Sequence, residues 1–276
     1  GEKVVLADEG AIGEGMAPGA ARARVDLLQA LLLAERSVTV LERATAVGIY
    51  HGPLVPIAAA DRLHLVHPAR VVVATGAVER HAVFPGCDLP GIWQARGAAR
   101  LAGVHGLSPG RRIVVVAATA EGMDHFDTLR AHATRDPGCS VVAVVAPREL
   151  AARVPAGVQV LHDGAVVAAL GRAVGRGAGV RAVVVETGAG RRTVECDAVV
   201  LALGCEPRDG LLRQADAGTL QGAGEVVLPG CTLAEAEASG VAAGSPDSTI
   251  AVAGAIPNGR AASVAGVAGV ALPPVA

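Results

Sequence analysis

The strongest constraint in this chain is a set of short, unbroken apolar runs, each stopping on glycine or alanine. "ARVVVATGAVER" (69–80), "IVVVAATAEG" (113–122), "SVVAVVAPREL" (140–150) and "DAVVLALG" (197–204) share that form. A strand with one wet face alternates apolar with polar residues, so continuous valine runs mark strands covered on both faces. Ending such a run on a small residue lets another group approach the backbone closely there. Composition agrees: 51% of residues are hydrophobic but only 1% aromatic, so the core is built of Ala, Val and Leu. Thin strands and tight helix contacts follow, the habit of α/β proteins. A length of 276 residues calls for one large or two modest domains.

Several classes are excluded on chemistry. A net charge of −2 gives no attraction for nucleic acid or an anionic membrane. Two Phe, one Tyr and one Trp leave little to stack bases on. The apolar tail from residue 250 is interrupted by Pro257, Asn258 and Arg260, while a span needs about 20 uninterrupted apolar residues. The five cysteines, Cys87, Cys139, Cys196, Cys205 and Cys231, form no C-x-x-C pair and read as buried thiols in a reducing cytoplasm. No metal site is expected: His64 and His67 lack a third ligand at usable spacing. The chain opens on Gly1-Glu2-Lys3 and enters a strand at once, so no signal peptide is read.

Along the chain, "EKVVLADE" predicts a buried strand ending in acid. Residues 21–35 predict a helix, with Val25, Leu28 and Leu32 at helical spacing. "VTVLERATAVGIY" and "RLHLVHPARVVVATG" predict strands, and "FPGCDLPGIW" a connector punctuated by Pro and Gly. Residues 113–150 predict one βαβ unit with a helix over 123–136. "GVQVLHDGAVVAALG", "VRAVVVET" and "RRTVECDAVVLALG" predict further strands, as does "STIAVAGA", with a small-residue helix over 260–270.

In open parallel sheets a ligand sits beyond the carboxyl ends of the strands. Gly1, Val4, Leu6 and Asp8 fit the second half of a dinucleotide fingerprint, in which an acid at the strand end accepts both ribose hydroxyls. Glu9 stands one position away as a substitute. The Thr75-Gly76 turn is read as a place where main chain passes close to a dinucleotide. After Gly254, where many flavoproteins carry an acid, stands Ala255; Asn258 and Gly259 offer polar contacts to a diphosphate instead. The βαβ unit has Ala117-Ala118-Thr119-Ala120-Glu121-Gly122 where G-x-G-x-x-G is expected. Only its third glycine survives, and Glu121 repels a diphosphate, which points to scaffolding there. No catalytic residue is assigned.

In this order the segments "VTVLERATAVGIYHGPLV", "ARVVVATGAVERHAVFPGCDLPGIWQARGAARLAGVHGLSPGRRIVVV", "CDAVVLALGCEPR" and "STIAVAGAIPNG" resemble the family of sarcosine oxidase α subunits, hydrogen cyanide synthases and opine oxidases. The resemblance implies an α/β flavoprotein fold of two Rossmann-like FAD/NAD(P)-binding domains, the second inserted in the first. The N-terminal strand and glycine-rich turn are expected to be missing from this chain. The implied domains are 1–107 with 208–276, and an inserted 108–207. The cofactor implied is FAD or NAD, and the activity is oxidation of a secondary amine or amino acid within a complex of several subunits. By position, the resemblance puts Asp8 on the adenosine ribose and Val47 beside the adenine. It puts Ala74, Thr75 and Gly76, with Gly254 through Asn258, facing the dinucleotide. The rival expectation is a pseudo-enzyme module that scaffolds a catalytic partner subunit.

Overall fold

Valine runs become strands wherever a neighbour completes their hydrogen bonds, and the neighbours are parallel strands far apart in sequence. The computed structural model describes residues 3–14, 20–52, 54–69, 71–175, 177–208, 210–215 and 250–252. The chain divides into two compact units, Gly1–Val78 with Glu206–Ala276, and Glu79–Cys205. It crosses between them in two short strands, Ala77–Glu79 and Cys205–Pro207.

In the first unit, β1 (Val4–Asp8) and β2 (Val38–Glu42) pair in parallel around helix α1 (Ala20–Ala34). A three-stranded antiparallel sheet follows, of β3 (Thr45–Ala46), β4 (Val55–Ala58) and β5 (Leu63–Val66). Then comes β6 (Val71–Val73), paired in parallel with Ile250–Val252. The expectation of a buried first strand is corrected: Val4 and Val5 are 48% and 42% exposed. Among the described residues β1 pairs on one side only, with β2, so its first residues stay open. The unit's described core is small, built on Ala44, Ile49, Val55, Ile57, Val73 and Ala215.

After β7 (Ala77–Glu79), the second unit is built on a five-stranded all-parallel sheet. Its strands are β8 (Ile92–Gln94), β9 (Arg112–Ala117), β10 (Ser140–Ala146), β11 (Gln159–His162) and β15 (Ala198–Ala202). They lie in the order β11-β10-β9-β15-β8. Helices α2 (Ala95–Gly103) and α3 (Ala120–Ala133) cover one face. An antiparallel sheet of β12 (Ala165–Arg172), β13 (Gly179–Thr187) and β14 (Gly190–Glu195) covers the other. Alternate residues of β9 serve the two layers: Ile113, Val115 and Ala117 pack with Met123, Phe126 and Leu129 of α3. Val114 and Val116 pack instead against Val183 and Val185 of β13. Double coverage is why the strand reads as one apolar run. The expected connector over 84–93 contains the start of β8, which pairs in parallel with β15. The segment 159–172 is two strands rather than one, broken at Asp163, whose φ is +52°. Residues 79–107 belong to the second compact unit.

Among the described residues no helix is long and apolar enough to cross a membrane. The expected helix over 260–270 and Cys231 lie outside the described residues.

Candidate functional site

The carboxyl ends of the first unit's parallel strands are tied to one another by hydrogen bonds. β1 ends on Asp8, whose Oδ1 accepts the Gly10 N–H at 2.8 Å. The Asp8 carbonyl accepts the Ala44 N–H at 2.9 Å, and the Gly10 carbonyl accepts that of Arg43 at 3.1 Å. Glu42, at the end of β2, accepts the Ile12 N–H through Oε1 at 3.1 Å. Loops after neighbouring parallel strands are thereby locked side by side, with the Asp8 carboxylate left exposed to solvent. Val47 lies three residues past Ala44, 43% exposed, with its N–H donated to the Pro56 carbonyl at 3.0 Å.

Thr75-Gly76 joins this neighbourhood through a residue that sequence reading did not single out. The Arg208 N–H donates to the Gly76 carbonyl at 2.9 Å, and Thr75 Oγ1 donates to the Arg208 carbonyl. The Arg208 guanidinium lies 3.5 Å from the Glu9 carboxylate. One arginine therefore links the ends of β1 and β6. It could have been found only as the cation closing "CEPR", a cue with no periodicity behind it. Gly76 has a φ of +69°, and a Cβ built on it meets nothing within 4 Å. Its conformation demands glycine, while the protein leaves open space above it; Ala74 is exposed alongside. Ile250 to Val252 align in register with Val71 to Val73. Gly254, Ala255 and Asn258 lie outside the described residues.

The second unit's strand ends are built differently. Thr119 caps α3, its Oγ1 accepting the Gly122 N–H at 3.1 Å. A Cβ on Gly122 would stand 3.0 Å from the Ala202 Cβ and 3.3 Å from the Ala117 Cα. The surviving glycine thus keeps its role of close helix–strand packing. Glu121, beside it, is held by Arg96, whose Nη2 and Nε donate to Oε1 at 2.8 and 3.1 Å. His125 Nε2 lies 3.6 Å from the same oxygen. The Arg96 N–H donates to Glu79 Oε1 at 2.8 Å. Burial pushes the Glu121 carboxyl upward, but hydrogen bonds from His125 and Arg96 outweigh it and hold the group below its ordinary range. On the opposite face, a cavity of about 410 Å³ opens at the ends of β9, β10 and β15, lined by Val116, Val145, Ala146, Leu201 and the Asp163 loop. Arg148 donates through Nε to Asp163 Oδ2 at 3.0 Å. Among the described residues no group of three or more His, Cys, Asp or Glu side chains is placed to hold a metal.

Two parallel-stranded α/β units, the second arising between two segments of the first, have the fold of the FAD/NAD(P)-binding oxidoreductases with paired Rossmann-type domains. Solved structures share this fold. One is L-proline dehydrogenase from P. horikoshii, at a TM-score of 0.57 and 20% identity, covering 91% of this chain and 45% of that one. Another is T. acidophilum thioredoxin reductase, at a TM-score of 0.62 and 14% identity, covering 94% and 84%. In sequence the chain is similar to sarcosine oxidase subunit alpha of Rhizobium meliloti (strain 1021), 27% identical over 234 residues. That match covers 75% of this chain and 22% of the relative, so the chain spans about a fifth of that protein's length. No family model matches the chain.

Proposed function

We propose that the first unit binds the adenosine diphosphate half of FAD, as part of an oxidoreductase subunit that oxidises a secondary amine or amino acid. The observation that carries this reading is the tie from Glu9 through Arg208 to Thr75-Gly76, which gathers the strand ends of one parallel-sheet unit. The exposed Asp8 carboxylate accepts the ribose hydroxyls, as an acid at that strand end does in dinucleotide folds. The open space above Gly76 admits a ligand to the backbone. The Arg208 guanidinium, on exchanging Glu9 for a phosphate oxygen, supplies the positive charge. Flavin, when bound, supplies the two-electron acceptor for the amine; the chain's residues bind and orient it. The sarcosine oxidase and proline dehydrogenase relatives support an amine as substrate and partner subunits in the assembly. We place the protein in the cytoplasm, where thiols such as those of Cys87, Cys139 and Cys196 stay reduced.

The test is purification of the chain with flavin supplied, followed by denaturation and identification of the released nucleotide. Released FAD, and flavin bleaching by sarcosine or L-proline in the presence of partner subunits, is the expected result. A protein that stays colourless and releases no nucleotide would reject the reading. A second reading, a scaffold for a catalytic partner, is favoured by one observation, the Arg96–Glu121 pair at the helix end of the second unit. It expects no saturable heat with either FAD or NAD.

A further inference from the structure

The second unit ends β9 against the start of a 14-residue helix, α3, the place where a dinucleotide sets its diphosphate in this kind of fold. A carboxylate already stands there. Glu121 lies in the helix's first turn, its side chain only 18% exposed. Arg96 reaches it from α2 with two nitrogens at 2.8 and 3.1 Å. Cys205 Sγ approaches the other oxygen at 4.0 Å. The space left among Glu79, Thr119, His125 and Gly204 is about 10 Å³, no more than one water occupies. A fork of two guanidinium nitrogens on one anion is the geometry arginine offers a phosphate.

We propose that Glu121 is the second unit's own anion, filling the diphosphate position and making this unit reject NAD(P)-type dinucleotides. It is a specificity-determining residue whose clamp is Arg96. The carboxylate ionises below its ordinary range, so it is negative throughout the neutral region. A ligand diphosphate brings roughly two further negative charges beside Glu79 and Glu121, and these face one arginine, one histidine and the helix N-terminus. Removing Glu121 reverses the balance: Arg96, the N-terminal N–H groups and a cavity of side-chain size then face an incoming anion. The inference does not depend on the nucleotide reading of the first unit.

The experiment is calorimetric titration of the full chain with ADP-ribose and with inorganic pyrophosphate. It is done in an Asp8→Ala background, which removes the first unit's ribose contact. With Glu121 intact, no more than one weak site, the residual site of the first unit, is expected. Glu121→Ala, and Glu121→Gln as the size-conserving variant should the alanine protein fail to fold, are expected to bind both probes at least about tenfold more tightly. Adding Arg96→Ala is expected to abolish that gain. Binding of a second ADP-ribose per chain with Glu121 intact in the Asp8→Ala background would overturn the proposal. So would a folded Glu121→Gln protein that gains nothing. FAD titration of the Asp8 wild-type chain reports separately on the first unit.

Discussion

Asp8 and Cys196 show how environment sets the behaviour of single residues. The Asp8 carboxylate sits exposed at a strand end, with one oxygen accepting the Gly10 N–H at 2.8 Å. Asp8→Ala is expected to cost about 1.5–3 kcal/mol of nucleotide affinity, some ten- to a hundredfold, measured by flavin fluorescence titration. Cys196 is the opposite case, 2% exposed beneath the antiparallel sheet. Burial, with a further push from Asp197, raises its thiol to about 12 from an ordinary 9.0. The folded state therefore holds a proton that the unfolded thiol loses first, so stability contributed by this group is complete below pH 9 and declines above it. Only thiolate reacts with alkylating reagents. Mass-spectrometric labelling at pH 8 is expected to modify half-buried Cys87 before Cys139, Cys196 and Cys205, which react only on unfolding. Glu121 works in the reverse direction, its folded carboxyl lying below the ordinary 4.5. Its contribution is present above that pH and is lost as pH falls further. Acid unfolding of Glu121→Gln is expected to be less steep in that range than that of the wild type.

Helix α3 is the element on which the second unit turns. Its Met123, Phe126 and Leu129 are wholly buried against β9 and β10, and Phe126→Ala is expected to lower unfolding free energy by about 3–5 kcal/mol in urea titration. Gly122→Ala adds one methyl where the Ala202 Cβ and carbonyl stand at 3.0 and 3.1 Å. That overpacking is expected to cost about 1–3 kcal/mol by the same measurement. The elements differed in how well the sequence announced them. β9 and β15 were legible because both their faces are covered, which leaves no polar residue in the run. β8 was not, because three residues just after a Pro-Gly pair carry no period, and it is a strand only through its pairing with β15. The break between β11 and β12 was hidden because a left-handed Asp163 leaves no mark on the hydrophobic pattern. Asp8, Glu9, Thr75 and Gly76 were visible as strand ends. Arg96 and Arg208 were not, because each meets its partner across a long stretch of chain and a single charge has no periodicity.

For the whole molecule, the two units carry different burdens. The second is contiguous in sequence, Glu79–Cys205, with one buried cluster on each face of its sheet. A fragment of those residues is expected to fold alone and melt in a single cooperative transition followed by circular dichroism. A fragment with no transition would show that this core needs the rest of the chain. The first unit holds the strand ends gathered by Arg208 and the exposed acid at Asp8. The account thus assigns ligand binding to one unit and a closed, self-neutralised crevice to the other. The measurement that tests this most directly is FAD titration of the full chain beside its Asp8→Ala variant. The account expects one saturable FAD per chain, weakened about tenfold or more by Asp8→Ala. Saturable binding indifferent to Asp8, or no binding at all, would contradict it.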